Sequence, residues 1–290
     1  MSDQADELRY LARHNAASAA PLRFPSPRII AVAGGKGGVG TTTVAVNLAV
    51  ALGVQGHRVV LADLQFDGGD VATHCDITPL ASVEDVLAGR LTVHEALSLG
   101  PAGVQVLPGA WPKHTLVDPD DADLERLIWG LQGLGRHVDL VVLDVGAQVN
   151  RQSRRFWLAA DEIVLVTTPD TVALMDAYAT IKLMTDSPLT GTVHALVNMA
   201  DEAAAESATG RLSRACQRFL NFDIATFAHL PPAATDLGDS SLGAVPLPYV
   251  LAEPDAAVAR RLEMVATELV GASTAGPRNG APAVVAAAAG

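Results

Sequence analysis

The residues with the clearest chemical potential form a glycine-rich loop, Gly34–Thr43, which reads GGKGGVGTTT. An aliphatic run, Ile29–Ala33, precedes the loop, and a helical pattern that opens with threonines follows it. Glycines let a backbone wrap closely around phosphate groups, and the N–H groups and dipole of a helix N-terminus favour anions. The alternative is a connector of purely structural role. The combination of strand, spacing and Thr-opened helix favours a phosphate-binding loop.

The loop departs from the usual P-loop pattern at one position. Residues Gly35–Thr42 fit G-x-x-x-x-G-K-[ST], except that Thr41 replaces the lysine, and Lys36 is the lysine that remains. A lost charge-assisted hydrogen bond of about 1.5–3 kcal/mol weakens phosphate binding by roughly 10- to 100-fold. We therefore expect ATP binding with weak or absent hydrolysis, unless a neighbouring cation replaces the lysine. The expected nucleotide contacts are Gly35, Lys36, Gly37, Gly38, Val39, Gly40, Thr41, Thr42 and Thr43.

An acidic residue and a hydroxyl are the first candidates for a magnesium site. Asp144 ends the aliphatic run Val141–Leu143, and an acid in this place next to a P-loop strand usually anchors the magnesium shell. The hydroxyl of Thr42, at the start of the helix, would ligate the ion that bridges the phosphates. The eight histidines show no metal-ligand spacing, so we expect no metal other than Mg²⁺.

Alternating strands and helices must position these residues. Such alternation predicts an α/β fold with a mostly parallel, doubly wound sheet and helices on both faces. The predicted strands are Ile29–Ala33, Arg58–Asp63, Val104–Leu107, Val138–Asp144, Glu162–Thr168, Val193–Asn198 and Ile224–Leu230. The clearest predicted helices are Thr41–Val54, Asp120–Leu134, Thr171–Met184, Ala203–Phe219 and about Asp255–Val270.

The pattern also predicts the organisation of the chain. We expect an amphipathic helix at 1–15, a linker at 16–27, a P-loop domain at 28–271 and a disordered tail at 272–290. The net charge of −12 counts against non-specific binding of nucleic acid and against tight binding to an anionic membrane. Two distant cysteines, a polar N-terminus and the absence of an apolar run of roughly 20 residues predict a cytoplasmic protein whose membrane contact is at most peripheral.

The loop resembles that of the MinD/ParA ATPases, which reads KGGVGK[ST]. The resemblance implies an ATP-bound dimer in which Lys36 reaches the phosphates across the interface. Where that family carries D-x-D, this chain has Asp63-Leu64-Gln65. The family's acids order the magnesium shell and the attacking water, so Asp63 is expected to join the metal site. Gln65 would orient water but could not accept its proton.

Two further positions follow from the same resemblance. The family pattern D-[ST]-[GP]-A-G corresponds here to Asp144–Gln148, which implies that the backbone N–H at Gly146 contacts the γ-phosphate. Asn198 ends a predicted strand where the family carries an Asn whose amide reads the adenine edge. An Asn in such a place is otherwise often a turn former.

Both ends of the chain resemble FlhG-type proteins, also called FleN or YlxH, which set flagellar number and position. Arg218–Ile224 and Val245–Pro254 are similar to elements of the C-terminal half of that family. The opening segment is similar to its DQAxxLR element, which docks on the GTPase FlhF. That similarity implies partner contacts by Asp3, Gln4, Ala5, Leu8 and Arg9.

Other functions stay open at this point. One is a non-hydrolysing localisation scaffold similar to CpaE or TadZ, which often lack the loop lysine. The others are a MinD-type division-site protein and a ParA-type partitioning ATPase, although the latter needs a basic surface for DNA. A basic run, Arg151 to Arg155, is most often a solvated helix start.

Overall fold

A parallel sheet forms the centre of the molecule. The computed structural model describes residues 26–66, 68–110, 118–187, 189–233 and 248–271. Within them, eight strands take the order β3-β4-β2-β5-β1-β6-β7-β8, and every neighbouring pair is parallel except β3 with β4. The strands are β1 Arg28–Gly34, β2 Val59–Asp63, β3 Ser98–Leu99, β4 Gln105–Leu107, β5 Leu140–Gly146, β6 Glu162–Thr167, β7 Thr192–Val197 and β8 Thr226–His229. The predicted α/β fold with a mostly parallel sheet is confirmed.

Helices cover both faces of the sheet. Their bounds are α1 Thr41–Val54, α2 Val71–His74, α3 Val83–Leu87, α4 Val93–Ala96, α5 Asp121–Gln132, α6 Arg151–Ala159, α7 Thr171–Thr185, α8 Glu202–Leu220, α9 Tyr249–Ala252 and α10 Ala257–Gly271. Because successive strand residues face opposite sides, Ile30 and Val32 pack in the cluster with α1 and α10. Ala31 and Ala33 pack in the cluster with α5 to α8. Central strands buried on both faces explain the continuous aliphatic runs of the sequence.

The shortest helices and the shortest strand were not predicted from the sequence. Helices α2 to α4 span four or five residues each, which is too short to show a helical period. A local signal was present, since Ser82 and Thr92 form capping boxes with Asp85 and Glu95. The missed strand β3 has two residues and pairs antiparallel at the sheet edge.

The basic run after β5 opens helix α6, but it is not simply solvated. Arg151 and Arg155 both form ion pairs with Asp121 of α5, at 2.5 and 2.8 Å. These arginine charges are therefore engaged within the protein, and the run gives no support to a nucleic-acid or membrane surface.

Several predicted segments lie outside the described residues. They are the helix at 1–15 with its proposed partner contacts, most of the linker, and the tail at 272–290. In the part of the chain that the structure does describe, none of the helices combines the length and apolarity needed to cross a membrane.

A buried charged cluster joins three neighbouring strands near their N-terminal ends. Arg28 of β1 forms an ion pair with Glu162 of β6, and Glu162 contacts His194 of β7. Arg28 also donates to the carbonyl oxygen of Val270, 3.4 Å away on α10. The cluster therefore ties the start of the sheet to the last helix.

We expect Glu162→Gln to lower the free energy of unfolding at pH 7 by about 2 kcal/mol, because it removes charge-assisted hydrogen bonds. Burial raises the pKa of Glu162, but hydrogen bonds with His194 and Arg28 outweigh this and hold the pKa below its usual value. The stabilisation is therefore complete above a pH of about 4.3, the pKa of a free glutamate, and is lost as pH falls through the lower folded-state pKa. Urea denaturation at pH 7 and pH 3 checks this. An equal loss for Glu206→Gln, at an exposed position of α8, would contradict it.

Candidate functional site

The glycine-rich loop runs from the end of β1 to the start of α1. Gly38 and Gly40 have φ values of 82° and 89°, in the left-handed region that favours glycine. Gly35 passes directly against helix α7, where an added Cβ would lie 2.6 Å from backbone atoms of Asp176 and Ala177. Gly38 and Gly40 are therefore required by the local backbone conformation, and Gly35 is required by close packing.

Asn198, just after β7, holds the loop in place. Its Nδ2 donates to the carbonyl oxygen of Val39 at 2.9 Å, and its Oδ1 accepts from the backbone N–H of Met199 at 2.9 Å. Asn198 and Val39 are both buried. The structure therefore gives this amide a positioning role that the sequence analysis missed, and its predicted contact with adenine stays a prediction.

The three predicted metal-site residues converge beside the loop. Asp63 and Asp144 are register partners at the ends of β2 and β5, and both are fully buried. The side chain of Thr42, from the first turn of α1, lies beside Asp144 and helps to lower the pKa of that carboxyl. Parallel strands end at the same edge of a sheet, which is why residues far apart in sequence meet here.

Gln65 completes this cluster in a way that the sequence did not predict. Its Nε2 donates to Asp144 Oδ2 at 2.7 Å and to Thr42 Oγ1 at 2.8 Å. Its backbone N–H donates to Asp63 Oδ1 at 3.1 Å, and the N–H of Val71 donates to Asp63 Oδ2 at 3.2 Å. Gln65 therefore contacts every member of the predicted magnesium set.

The electrostatics of the two carboxylates fit a cation. Burial, followed by repulsion from Asp144, raises the pKa of Asp63 to about 7 despite the opposing backbone hydrogen bonds. Burial also raises the pKa of Asp144, against hydrogen bonds with Thr42 and Gln65. Within the described ranges, no Lys or Arg side chain forms an ion pair with either carboxylate within 4.0 Å. Carboxylate and hydroxyl oxygens are ligands that suit Mg²⁺, so this donor set fits the predicted ion.

Lys36 lies away from that cluster. It is exposed, and its charge is close enough to Asp170 to help lower the pKa of that carboxyl, after hydrogen bonds from Thr168 and Ala173. Asp170 caps helix α7 by accepting from the N–H of Ala173. The one lysine of the loop therefore faces the start of α7 on the molecular surface.

A cavity of about 400 Å³ opens beside Gln65. Gly146 has a φ of 71°, donates its N–H to Asp144 Oδ1 at 3.2 Å, and lies so close to Gln65 that an added Cβ would be 2.7 Å from that side chain. The predicted γ-phosphate contact thus borders Asp144 and Gln65. The residues that line the cavity include Gly37, Gln65, Phe66, Gly146, Gln148 and Ser153.

The raised pKa of Asp63 predicts a pH dependence of stability in metal-free protein. Between a pH of about 3.9, where a free aspartate titrates, and about 7 the folded carboxyl binds a proton that the unfolded one releases. The free energy of unfolding should therefore fall as pH rises through this window. Asp63→Asn should flatten the slope and stabilise the protein at pH 8 by about 2 kcal/mol. Urea denaturation in chelator tests this, and a slope that persists in the variant would count against it.

Comparison with known proteins agrees with this geometry. The profile of the CobQ/CobB/MinD/ParA nucleotide binding domain matches residues 30–209. The antiactivator FleN of Pseudomonas aeruginosa is 34% identical over 195 residues, covering 67% of this chain and 70% of FleN. The flagellum site-determining protein YlxH of Helicobacter pylori is 29% identical over 156 residues, covering 54% of this chain and 53% of YlxH.

Solved structures show the same fold. The cell division ATPase MinD of Pyrococcus furiosus superposes with a TM-score of 0.70 at 24% identity, covering 85% of this chain and 99% of that one. MinD of Pyrococcus horikoshii, solved with Mg-ADP, gives a TM-score of 0.68 at 24% identity, covering 84% of this chain and 96% of that one. From its loop, its sheet and the extent of the profile match, the chain belongs to the CobQ/CobB/MinD/ParA nucleotide-binding family.

Proposed function

We propose that this protein binds ATP with Mg²⁺ and acts as a nucleotide-dependent dimeric switch with weak or absent turnover. The observation that carries the proposal is the meeting of Thr42 and Asp144 beside a glycine-rich loop at the carboxyl edge of a parallel sheet. Nucleotides bind at this edge in open α/β sheets.

Each residue has a defined task in this proposal. Backbone N–H groups of the loop and of the first turn of α1 bind the phosphates, while Asn198 keeps the loop in position through Val39. Thr42 and Asp144 would hold the ion with Asp63 behind them, and the ion would offset phosphate charge. Two features limit hydrolysis. Thr41 is uncharged, so it cannot stabilise the negative charge of the phosphates as a lysine would. Gln65 has no carboxylate that could accept a proton from water.

The surface around the loop supports dimerisation face to face. Lys36 is exposed, and Val172 and Met175 on the first turns of α7 are 56% and 66% exposed. Met199 is 51% exposed and comes within 3.9 Å of the Cβ position of Gly40. Exposed apolar side chains next to a nucleotide loop fit an interface that forms when nucleotide is bound. Lys36 would then reach the nucleotide of a second copy.

Light scattering with and without ATP·Mg²⁺ tests the switch. We expect ATP to shift the natural protein and Lys182→Ala, an exposed lysine elsewhere on α7, from monomer to dimer. Lys36→Ala should stay monomeric while still binding ATP, because its contact is made across the interface. ATP binding by the natural protein without a change in mass would contradict the switch.

In the cell, we propose a role in flagellar number or placement together with an FlhF-like GTPase. The similarity to FleN and YlxH supports this role, and Asp3–Arg9 is the proposed docking segment. A pull-down of an FlhF-like GTPase with and without residues 1–15 tests the segment, and equal recovery would reject it. A non-hydrolysing scaffold is the second candidate, favoured by Thr41 and Gln65. Within this role, we propose at most peripheral contact with a membrane.

A further inference from the structure

Gln65 holds the position at which the oxygens of the metal site converge. Its Nε2 lies 2.7 Å from Asp144 Oδ2 and 2.8 Å from Thr42 Oγ1. We propose that this amide group is a built-in occupant of the cation position, which a divalent cation must displace before it can bind. The inference rests on the proposed nucleotide and Mg²⁺ site, and it adds a device that sets how readily that site is loaded.

The chemistry of the partners fixes the orientation of the amide. An ionised carboxylate only accepts hydrogen bonds, so the atom that contacts Asp144 must be the NH₂ group of Gln65. Magnesium ligands lie about 2.0–2.1 Å from the ion. A cation held by Thr42 and Asp144 would therefore overlap the amide nitrogen, and the two cannot be present together.

A glutamine at position 65 suits the metal-free site better than an acidic residue would. Asp63 and Asp144 are already two buried carboxylates without an ion pair among the described residues. A third carboxylate at position 65 would add repulsion to the metal-free protein, whereas the amide supplies a donor. Gln65 thus stabilises the metal-free form of the site and competes with the ion for the same oxygens.

The cavity beside Gln65 can accommodate its side chain after displacement by the cation. Gln65 lines the cavity of about 400 Å³, together with Gly37 of the loop. Gly146 leaves the side chain of Gln65 room at the wall between site and cavity, since a Cβ there would overlap it. Loading of the cation would therefore move Gln65 toward the wall that includes Gly37, on the surface of the phosphate loop.

A titration with Mn²⁺, with and without ADP, tests the inference. The electron paramagnetic resonance signal of the free ion measures how much Mn²⁺ remains unbound. We expect Gln65→Ala and the volume-conserving Gln65→Met to bind Mn²⁺ about 10- to 100-fold more tightly, since a competing charge-assisted hydrogen bond is gone. In chelator, both variants should melt at a lower temperature than the natural protein. Addition of Mn²⁺ should reduce this difference in melting temperature. The control is Gln55→Ala, because the amide of Gln55 donates hydrogen bonds to α10 and not to the metal site. Its Mn²⁺ affinity should equal that of the natural protein.

The possible outcomes separate this inference from the function on which it rests. Unchanged Mn²⁺ affinity in both Gln65 variants would overturn it, although the metal site itself would stand. Weaker affinity would overturn it too, because it would mean that the carbonyl oxygen of Gln65 ligates the ion. If neither natural protein nor variants bind Mn²⁺ even with ADP, the proposed Mg²⁺-nucleotide site fails and the inference fails with it.

Discussion

Substituting Gly35 by alanine is expected to remove ATP binding and to lower the free energy of unfolding by about 3 kcal/mol, at the upper end of ordinary overpacking. The added Cβ would lie 2.6 Å from the backbone N of Ala177 and the backbone C of Asp176. A helix backbone cannot rotate away as a side chain can, so either α7 or the loop must move. Movement of the loop separates its N–H groups from the phosphates, and we expect ATP affinity to fall by about 100-fold.

The same loop offers a matched control. Gly37 has no atom within 4 Å of its Cβ position, and its φ lies outside the left-handed region. Gly37→Ala should therefore change the free energy of unfolding of the nucleotide-free protein by less than about 0.5 kcal/mol. Urea denaturation of both variants makes the comparison. Equal stability of the two would show that the loop does not pack on α7 as described.

Restoring the lysine of the ordinary loop should have the second large effect. Thr41 is the first residue of α1, is 7% exposed, and its Oγ1 lies 2.4 Å from the Cβ position of Gly34. A lysine there would bring a charge to the inner side of the loop, where the proposed phosphates lie. We expect Thr41→Lys to bind ATP roughly 10- to 100-fold more tightly, the range of one charge-assisted hydrogen bond.

Calorimetric titration with ATP·Mg²⁺ and a parallel assay of phosphate release check this prediction. Thr267→Lys adds the same charge at an exposed position of α10 and should leave affinity unchanged. If Thr41→Lys gains affinity but Thr267→Lys does not, the contact is local. If turnover appears only with Thr41→Lys, the natural loop binds nucleotide without efficient catalysis. Unchanged affinity would mean that another group already supplies the missing charge.

The sequence was sufficient for the fold because the central strands are buried on both faces. Runs such as Ile29–Ala33 and Val141–Leu143 have no polar face, which is typical of parallel sheets covered by helices. The position of the glycine-rich loop between β1 and α1 was also predictable, since its glycines and threonines are contiguous. The short helices between β2 and β4 were not, because four or five residues carry no measurable period.

The internal contacts of the site could not be read from the sequence. The contact between Gln65 and Asp144 depends on the pairing of β2 with β5, which sets Asp63 beside Asp144. Sequence reasoning assigned Gln65 to a water molecule and Asn198 to adenine. The structure gives both amides protein partners, Asp144 and Thr42 for Gln65 and Val39 for Asn198. Amide groups donate and accept, so their partners are decided by tertiary geometry rather than by residue type.

Calorimetric titration of the natural protein and of Asp144→Asn with ATP·Mg²⁺ tests whether the protein binds nucleotide through Asp144. Asp144 is fully buried, contacts Gln65 and Thr42, and accepts a hydrogen bond from the N–H of Gly146. Removing its charge therefore affects the candidate site and no other contact that the structure describes. We expect saturable binding by the natural protein and at least a roughly tenfold loss of ATP affinity in Asp144→Asn, with both proteins folded. If the folded natural protein does not bind ATP at millimolar concentration, the proposed nucleotide switch is wrong. The non-hydrolysing localisation scaffold then becomes the better proposal.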